Sequence, residues 1–150
     1  MKTLIISILS STIIISCTQK DVNKTDTLKQ ELIKADLSMS DLAVKEGFNR
    51  SLLQNADENF VKLNEGMHPS IGKKEFEELI IDRPGTKSLT WEPVKADVAQ
   101  SGELGYTWGN WKLAMKDTTV YGNYFTIWKR QNDGSWKMAL DGGNGTPPPK

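Results

Sequence analysis

The 150-residue chain has little of the chemistry on which many enzymes depend. It contains one cysteine, Cys17, and one histidine, His68. A single cysteine excludes an internal disulfide and a thiolate metal cluster. His68 stands beside Pro69 in a loop-like stretch and is interpreted as a surface residue. The chain also has no glycine-rich phosphate loop and no Ser-His-Asp order. We therefore expect no metal and no cofactor.

The chain likewise lacks a surplus of either charge and a membrane-spanning run. It has 19 basic and 19 acidic residues, so we expect no nucleic-acid partner. The apolar run from Leu4 to Ile15 is interrupted only by serine and threonine. It is shorter than the roughly 20 apolar residues that cross a hydrocarbon core. We therefore expect neither binding through a basic surface nor a bilayer crossing by this run.

The first 16 residues are typical of a secretory signal, because Lys2 precedes a short apolar run. Ile14, Ile15, Ser16 and Cys17 resemble the lipobox of bacterial lipoproteins. That resemblance implies cleavage before Cys17 and a lipid on its thiol, which would hold the domain on a membrane of the bacterial cell envelope, outside the cytoplasm. An ordinary signal peptide or an uncleaved anchor is the alternative. Residues 17–25 are polar without apolar periodicity and are predicted to be a tether.

The folded part begins with helical periodicity and then changes to strand periodicity. After Thr25, apolar residues recur at three- and four-residue spacing up to Gly47, and the stripe comprises Leu28, Leu32, Ala35, Met39 and Leu42. A second helix is predicted from Phe48 to about Ala56, followed by a short strand. A third helix, in GKKEFEELII, is predicted to bury Phe76, Leu79 and Ile80.

From Ser88 onward the period is two, and four strands are predicted. The first contains Pro93, which predicts a sheet edge or a bulge. NDGS predicts a hairpin turn between the last two strands, because Asp-Gly tolerates the positive φ of such turns. Residues 142–150 are predicted to be irregular. Helices followed by antiparallel strands predict an α+β fold with the helices on one face of the sheet.

The strand LGYTWGNW carries large aromatics on both faces and two glycines inside it. Tyr106 and Trp108 point one way, whereas Gly105, Gly109 and Trp111 point the other. We interpret this as a strongly curved sheet whose concave face encloses a pocket against the helices and whose convex face packs on a second copy. The alternative is that one aromatic set is merely partly exposed.

Several segments together resemble a known family. LTWEP, SGELGYTWGNW, YFTIWKRQNDGSWKMALD, EGFNRSLL and GKKEFEEL resemble an uncharacterised domain-of-unknown-function family related to SnoaL-like and ketosteroid-isomerase-like proteins, within the nuclear-transport-factor-2-like, cystatin-like superfamily. The resemblance covers residues 26–141. It implies a cone-shaped fold with three N-terminal helices on a bent, mostly antiparallel sheet, a pocket between them, and frequent dimers. It implies no particular activity, since this scaffold serves isomerases, dehydratases, cyclases and binding modules.

The candidate site residues come from the residue pattern. Asp36 lies on the shoulder of the helical stripe, where burial would raise the pKa of its carboxyl; an exposed flank position is the alternative. Asp141 ends the last strand and either faces the pocket mouth or caps the following turn. These two acids are the candidate catalytic residues. The predicted ligand pocket comprises Met39, Tyr106, Trp108, Tyr124 and Trp128.

These observations lead to three hypotheses for function. The first is a membrane-anchored lipoprotein whose domain binds a small apolar ligand and forms a homodimer. The second is an enzyme of the isomerase, dehydratase or cyclase type, with a pocket aspartate as general acid or base. The third is a non-catalytic interaction module of the envelope.

Overall fold

The computed structural model describes residues 15–149, and side chains from Lys24 onward. The predicted signal peptide thus lies almost wholly outside the described residues, as does the side chain of Cys17. The helices are α1 (Ile15–Glu46), α2 (Phe48–Asn55) and α3 (Lys73–Leu79). The strands are β1 (Ala56–Lys62), β2 (Ser70–Ile71), β3 (Leu89–Val98), β4 (Leu104–Ala114), β5 (Thr119–Arg130) and β6 (Trp136–Thr146). Within the described part of the chain, no helix has the length and apolar character that crossing a membrane requires.

The six strands form one sheet in the order β2-β1-β6-β5-β4-β3. Neighbouring strands are antiparallel except β1 and β6, which are parallel. Helix α1 packs on β3 and β4, α2 packs on β6, and α3 packs on β1. The predicted α+β class with three helices against a mostly antiparallel sheet is confirmed.

Helix α1 is longer than the sequence pattern predicted. Its stripe buries Leu28, Leu32 and Met39, and Ala43 takes the place expected for Leu42. Residues 17–25, predicted to be a polar tether without apolar periodicity, continue α1 in the structure, and no proline or glycine interrupts the chain between Ile15 and Glu46. The predicted stop at Gly47 is confirmed: its φ is 103°, and its N–H donates to the Ala43 carbonyl at 2.9 Å.

Two further expectations at the ends of elements are corrected. Leu79 is 48% exposed, because α3 reaches β1 through Phe76, whose ring meets Phe60 edge-on at 5.6 Å. Residues 142–146 are not irregular but belong to β6, which pairs with β5 as far as Thr146. The glycines there permit this pairing, since a Cβ on Gly143 would clash with the Asn123 carbonyl oxygen.

The two turn and bulge predictions are confirmed. The register between β3 and β4 shifts between Pro93 and Lys95, and β3 is an edge strand. The β5–β6 turn has Gly134 at a φ of 86°, and the Gln131 N–H donates to the Ser135 carbonyl at 2.7 Å.

The glycines of β4 and β5 make room for aromatic rings from the neighbouring strand. Trp111 stands opposite Gly122, and Tyr124 stands opposite Gly109. A Cβ on Gly122 would overlap the Trp111 ring, and a Cβ on Gly109 would lie 2.8 Å from the Tyr124 ring. Each ring therefore lies across the glycine beside it on the helix-facing side of the sheet. This arrangement explains why glycines alternate with large aromatics in these strands.

Candidate functional site

A cavity of about 240 Å³ lies between the helices and the sheet. Its apolar wall combines side chains from α1 and α2 with aromatics of β3, β4 and β5; it comprises Met39, Phe48, Leu52, Leu63, Leu89, Trp91, Trp111 and Tyr124. Its polar wall comes from β1, the segment after β1, and β6; it comprises Lys62, Asn64, Glu65, Asp141 and Asn144. The cavity thus has a polar side at β1 and β6 and an apolar side at β3, β4 and β5, which follow one another in the sheet.

The aromatic wall is held by contacts that fix each ring. The indole N–H of Trp111 donates to the Asn123 carbonyl at 3.1 Å, which holds the ring across Gly122. Phe48, the first residue of α2, meets Trp91 edge-on with ring centroids 5.8 Å apart. Such pairs add stability beyond the apolar area that they bury. These contacts hold the Trp111, Phe48 and Trp91 rings in the wall of the cavity.

The polar wall centres on an ion pair. The parallel pairing of β1 with β6 sets Lys62 beside Asp141. The Lys62 Nζ lies 2.5 Å from Asp141 Oδ2, and the Thr126 hydroxyl donates to Oδ1 at 2.8 Å. Lys62 Nζ also lies 5.7 Å from the centroid of the Phe48 ring. The side chains of Lys62 and Asp141 are only 13% and 9% exposed, so this pair is desolvated yet still borders the cavity.

Asp36 is fully buried behind the aromatic wall rather than on an exposed flank. Its Oδ1 accepts from the Trp91 indole N–H at 2.7 Å, and its Oδ2 accepts from the Tyr124 hydroxyl at 2.8 Å. Burial raises the pKa of the Asp36 carboxyl, and hydrogen bonds from Thr107, Trp91 and Tyr124 oppose that rise. Burial is the main cause that raises the pKa of the Tyr124 hydroxyl, and the neighbouring Asp36 raises it further. The hydroxyl therefore stays protonated.

The buried network continues away from the cavity. The Trp128 indole N–H donates to the Thr107 hydroxyl at 2.9 Å, and Thr107 is one of the groups that oppose the rise in the pKa of Asp36. Trp128 is fully buried in the core. Asp36 therefore supports the ring positions of Trp91 and Tyr124 from behind. Neither Asp36 nor Trp128 borders the cavity.

The structure brings together only part of the predicted site. Met39, Tyr124 and Asp141 border the cavity. The placement of Tyr106 and Trp108 in the pocket is corrected: they lie on the opposite face of the sheet and are 38% and 39% exposed. Alternation along β4 gives its helix-facing positions to Gly105, Thr107, Gly109 and Trp111 instead.

Sequence reasoning missed Lys62, the one cationic side chain among the described residues that line the cavity. Nothing in the stretch NFVKL distinguishes Lys62 from a solvent-facing strand lysine, because its position depends on the parallel β1–β6 pairing. Trp111 could have been found, since it shares a face with the two glycines of β4. Among the described residues, no three His, Cys, Asp or Glu side chains are grouped so that they could hold a metal ion.

Comparisons with known proteins give the fold. No family model matches the chain, and no curated protein matches it. A putative ketosteroid isomerase from Parabacteroides distasonis is 15% identical with a TM-score of 0.62, over 74% of this chain and 85% of its own. An NTF2-like protein with a cystatin-like fold from Novosphingobium aromaticivorans is 12% identical with a TM-score of 0.60, over 89% of both chains.

A third similar structure is the CaMKII hub of S. rosetta, 10% identical with a TM-score of 0.59, over 79% of this chain and 96% of that one. All three identities are too low to carry over an activity, but the fold agrees over most of the chain. The chain has the NTF2-like, cystatin-like fold of ketosteroid-isomerase-like proteins.

Proposed function

We propose that the domain binds a small, largely apolar molecule in the cavity between helices and sheet. The observation that carries this proposal is the cavity itself, bordered by four aromatic rings and by one desolvated ion pair. Apolar walls with a few fixed polar groups are typical of small-molecule sites. Asp36 serves this site indirectly, because it holds Trp91 and Tyr124 at the wall.

The volume of the cavity sets the size of the ligand. A dry cavity of about 150 Å³ accepts benzene, and drug-sized ligands occupy sites of about 300 Å³ or more. At about 240 Å³ the cavity fits a compound of one or two rings. A cavity of this size also favours ligand binding over a purely structural interaction module, which needs no internal space.

The proposal includes a lipid anchor on Cys17 and a place in the bacterial cell envelope. The support is the charged start, the short apolar run and the cysteine at its end. Helix α1 covers the chain from Cys17 to Leu28, its first buried residue among the side chains described from Lys24 onward. At 1.5 Å per residue this part of the helix spans about 16 Å, which would hold the cavity away from the bilayer surface.

The proposal also includes a dimer through the outer face of the sheet. That face exposes Tyr106, Trp108, Phe125 and Leu104, each between 38% and 44% exposed. A contiguous exposed apolar patch is typical of a protein–protein interface. The similarity to a hub domain is consistent with assembly through this fold.

A second candidate function is an enzyme in which Asp141 acts as general acid or base. Asp141 is the only one of the two predicted catalytic acids that borders the cavity. The similarity to a putative ketosteroid isomerase supports this candidate. Turnover of an identified ligand that falls by about 10² or more in Asp141→Asn, with binding retained, would favour the enzyme over the binder.

Native mass spectrometry of the full-length protein purified from its own host tests the binding proposal. We expect one co-purified small molecule per chain. Gly122→Ala should lower its occupancy, because the new Cβ would overlap the Trp111 ring and the Asn144 backbone carbonyl oxygen, and both residues line the cavity. Gly145→Ala is the matched control, since Gly145 pairs with Gly122 yet has open space around it. Equal occupancy in both variants, or no co-purified molecule, would count against the proposal.

A further inference from the structure

We propose that the Lys62–Asp141 pair is the specificity determinant of the cavity and selects an uncharged ring compound that presents one hydrogen-bond donor beside one acceptor, as a primary amide or a lactam does. This inference rests on the proposed binding function and names the ligand class for it. No such role follows from the fold, because the pair depends on two particular residues of β1 and β6.

The pair has hydrogen-bonding capacity left for a ligand. An ammonium group has three N–H donors, and among the described residues the Lys62 Nζ makes one hydrogen bond, to Asp141 Oδ2. An ionised carboxylate has about four acceptor positions. Asp141 uses one on each oxygen, for Lys62 and for Thr126. Both groups border the cavity, so the pair offers a donor and an acceptor side by side.

The charge balance of the polar wall favours an uncharged ligand. Lys62 and Asp141 neutralise one another, and their side chains are nearly removed from water. A ligand carboxylate would bring a second negative charge to Asp141, with Glu65 also at the cavity. A ligand cation would be repelled by Lys62. In a desolvated site a charge without its own partner carries a large penalty. An amide edge satisfies both groups and adds no charge.

The rest of the cavity accounts for the ring. Phe48, Trp91, Trp111 and Tyr124 supply flat apolar faces, and the Tyr124 hydroxyl is already committed to Asp36. Beyond the Lys62–Asp141 pair, the described polar wall consists of Asn64, Glu65 and Asn144, of which Glu65 and Asn144 are exposed. The pair is therefore the one desolvated polar anchor that the described residues give to an apolar ring.

The test compares four probes of nearly equal size on the full-length protein by isothermal titration calorimetry. The probes are benzamide, benzoate, benzamidine and toluene. We expect benzamide to bind at least about tenfold more tightly than each of the others, because one hydrogen bond to a charged group is worth that factor. Benzoate or benzamidine binding as tightly as benzamide would overturn the inference, as would toluene binding equally well.

A variant comparison assigns the preference to the pair. Lys62→Met combined with Asp141→Leu removes both charges together, which avoids leaving one buried and unpaired. In this double variant benzamide should lose its advantage over toluene, whereas Lys34→Met, on the exposed side of α1, should keep it. A retained advantage in the double variant would overturn the inference. If it does not fold, the four-probe series still decides.

The two levels of the proposal fail in distinguishable ways. Toluene binding without any preference for benzamide refutes the ligand class and leaves the binding function standing. Absence of binding for all four probes refutes the binding function for ring compounds and the inference with it.

Discussion

Replacing Asp36 tests whether the acid inside the aromatic wall is a structural acceptor. Asp36→Ala leaves the Trp91 indole N–H and the Tyr124 hydroxyl without their acceptor at a position with no solvent exposure. Each unpaired buried donor costs about 1–3 kcal/mol, so the two together cost about 2–6 kcal/mol. Removal of a carboxylate whose burial disfavours its charge offsets part of that loss. We expect the free energy of unfolding to fall by about 2–4 kcal/mol at pH 7.

Asp36→Asn is the matched control for this experiment. Its amide oxygen can accept from Trp91, and its amide N–H can donate to the Tyr124 hydroxyl oxygen. We expect the unfolding free energy of Asp36→Asn to lie within about 1 kcal/mol of the parent value. Urea unfolding followed by tryptophan fluorescence measures all three proteins. A loss below about 1 kcal/mol in Asp36→Ala, or equal losses in both variants, would refute the acceptor role.

The pH dependence of stability follows from the same carboxyl. The pKa of Asp36 is raised in the folded chain above its usual value of 3.8. Between pH 3.8 and the folded-state pKa, the Asp36 carboxyl therefore holds a proton in the folded state that it has released in the unfolded state. This contribution to stability is fully present below pH 3.8 and is lost as pH rises through the folded-state pKa. As pH rises over that interval, the free energy of unfolding of the parent should fall relative to that of Asp36→Asn. A difference independent of pH would contradict the raised pKa.

Three further predictions concern the anchor, the assembly and the turnover. Cys17→Ser should move the protein from the membrane fraction to the soluble fraction, whereas Thr18→Ser should not; persistent membrane association of the first variant would refute the lipid anchor. Trp108→Lys should convert a dimer to a monomer in light scattering, because it places a charge within the exposed apolar face, whereas Val44→Lys on exposed α1 surface should not. A parent that is monomeric at high concentration would refute the dimer. Asp141→Asn should lower turnover of an identified ligand by about 10² only if the protein is an enzyme, and an unchanged rate would exclude Asp141 as the general acid or base.

The order and type of the elements could be predicted, except for the two-residue strand β2, because they depend on local patterns. Helical spacing from Leu28 onward, the period of two after Ser88 and the turn at Gly134 all appear in the structure. The ends of elements were harder to predict. Residues 142–146 are rich in glycine, which usually indicates a loop, and only their pairing with β5 makes them a strand.

The alternation of side chains along β4 and the absence of cysteine and histidine clusters follow from the amino-acid order alone. Those features depend on residue identity and on spacing along one strand. Which face of β4 borders the cavity depends on tertiary packing, because α1 and α2 cover one side of the sheet and leave Tyr106 and Trp108 on the other. Tertiary packing also decided that Asp36 lies behind the wall and that Lys62 meets Asp141. The latter two residues are far apart in sequence, and only the parallel pairing of β1 with β6 brings their charges within bonding distance.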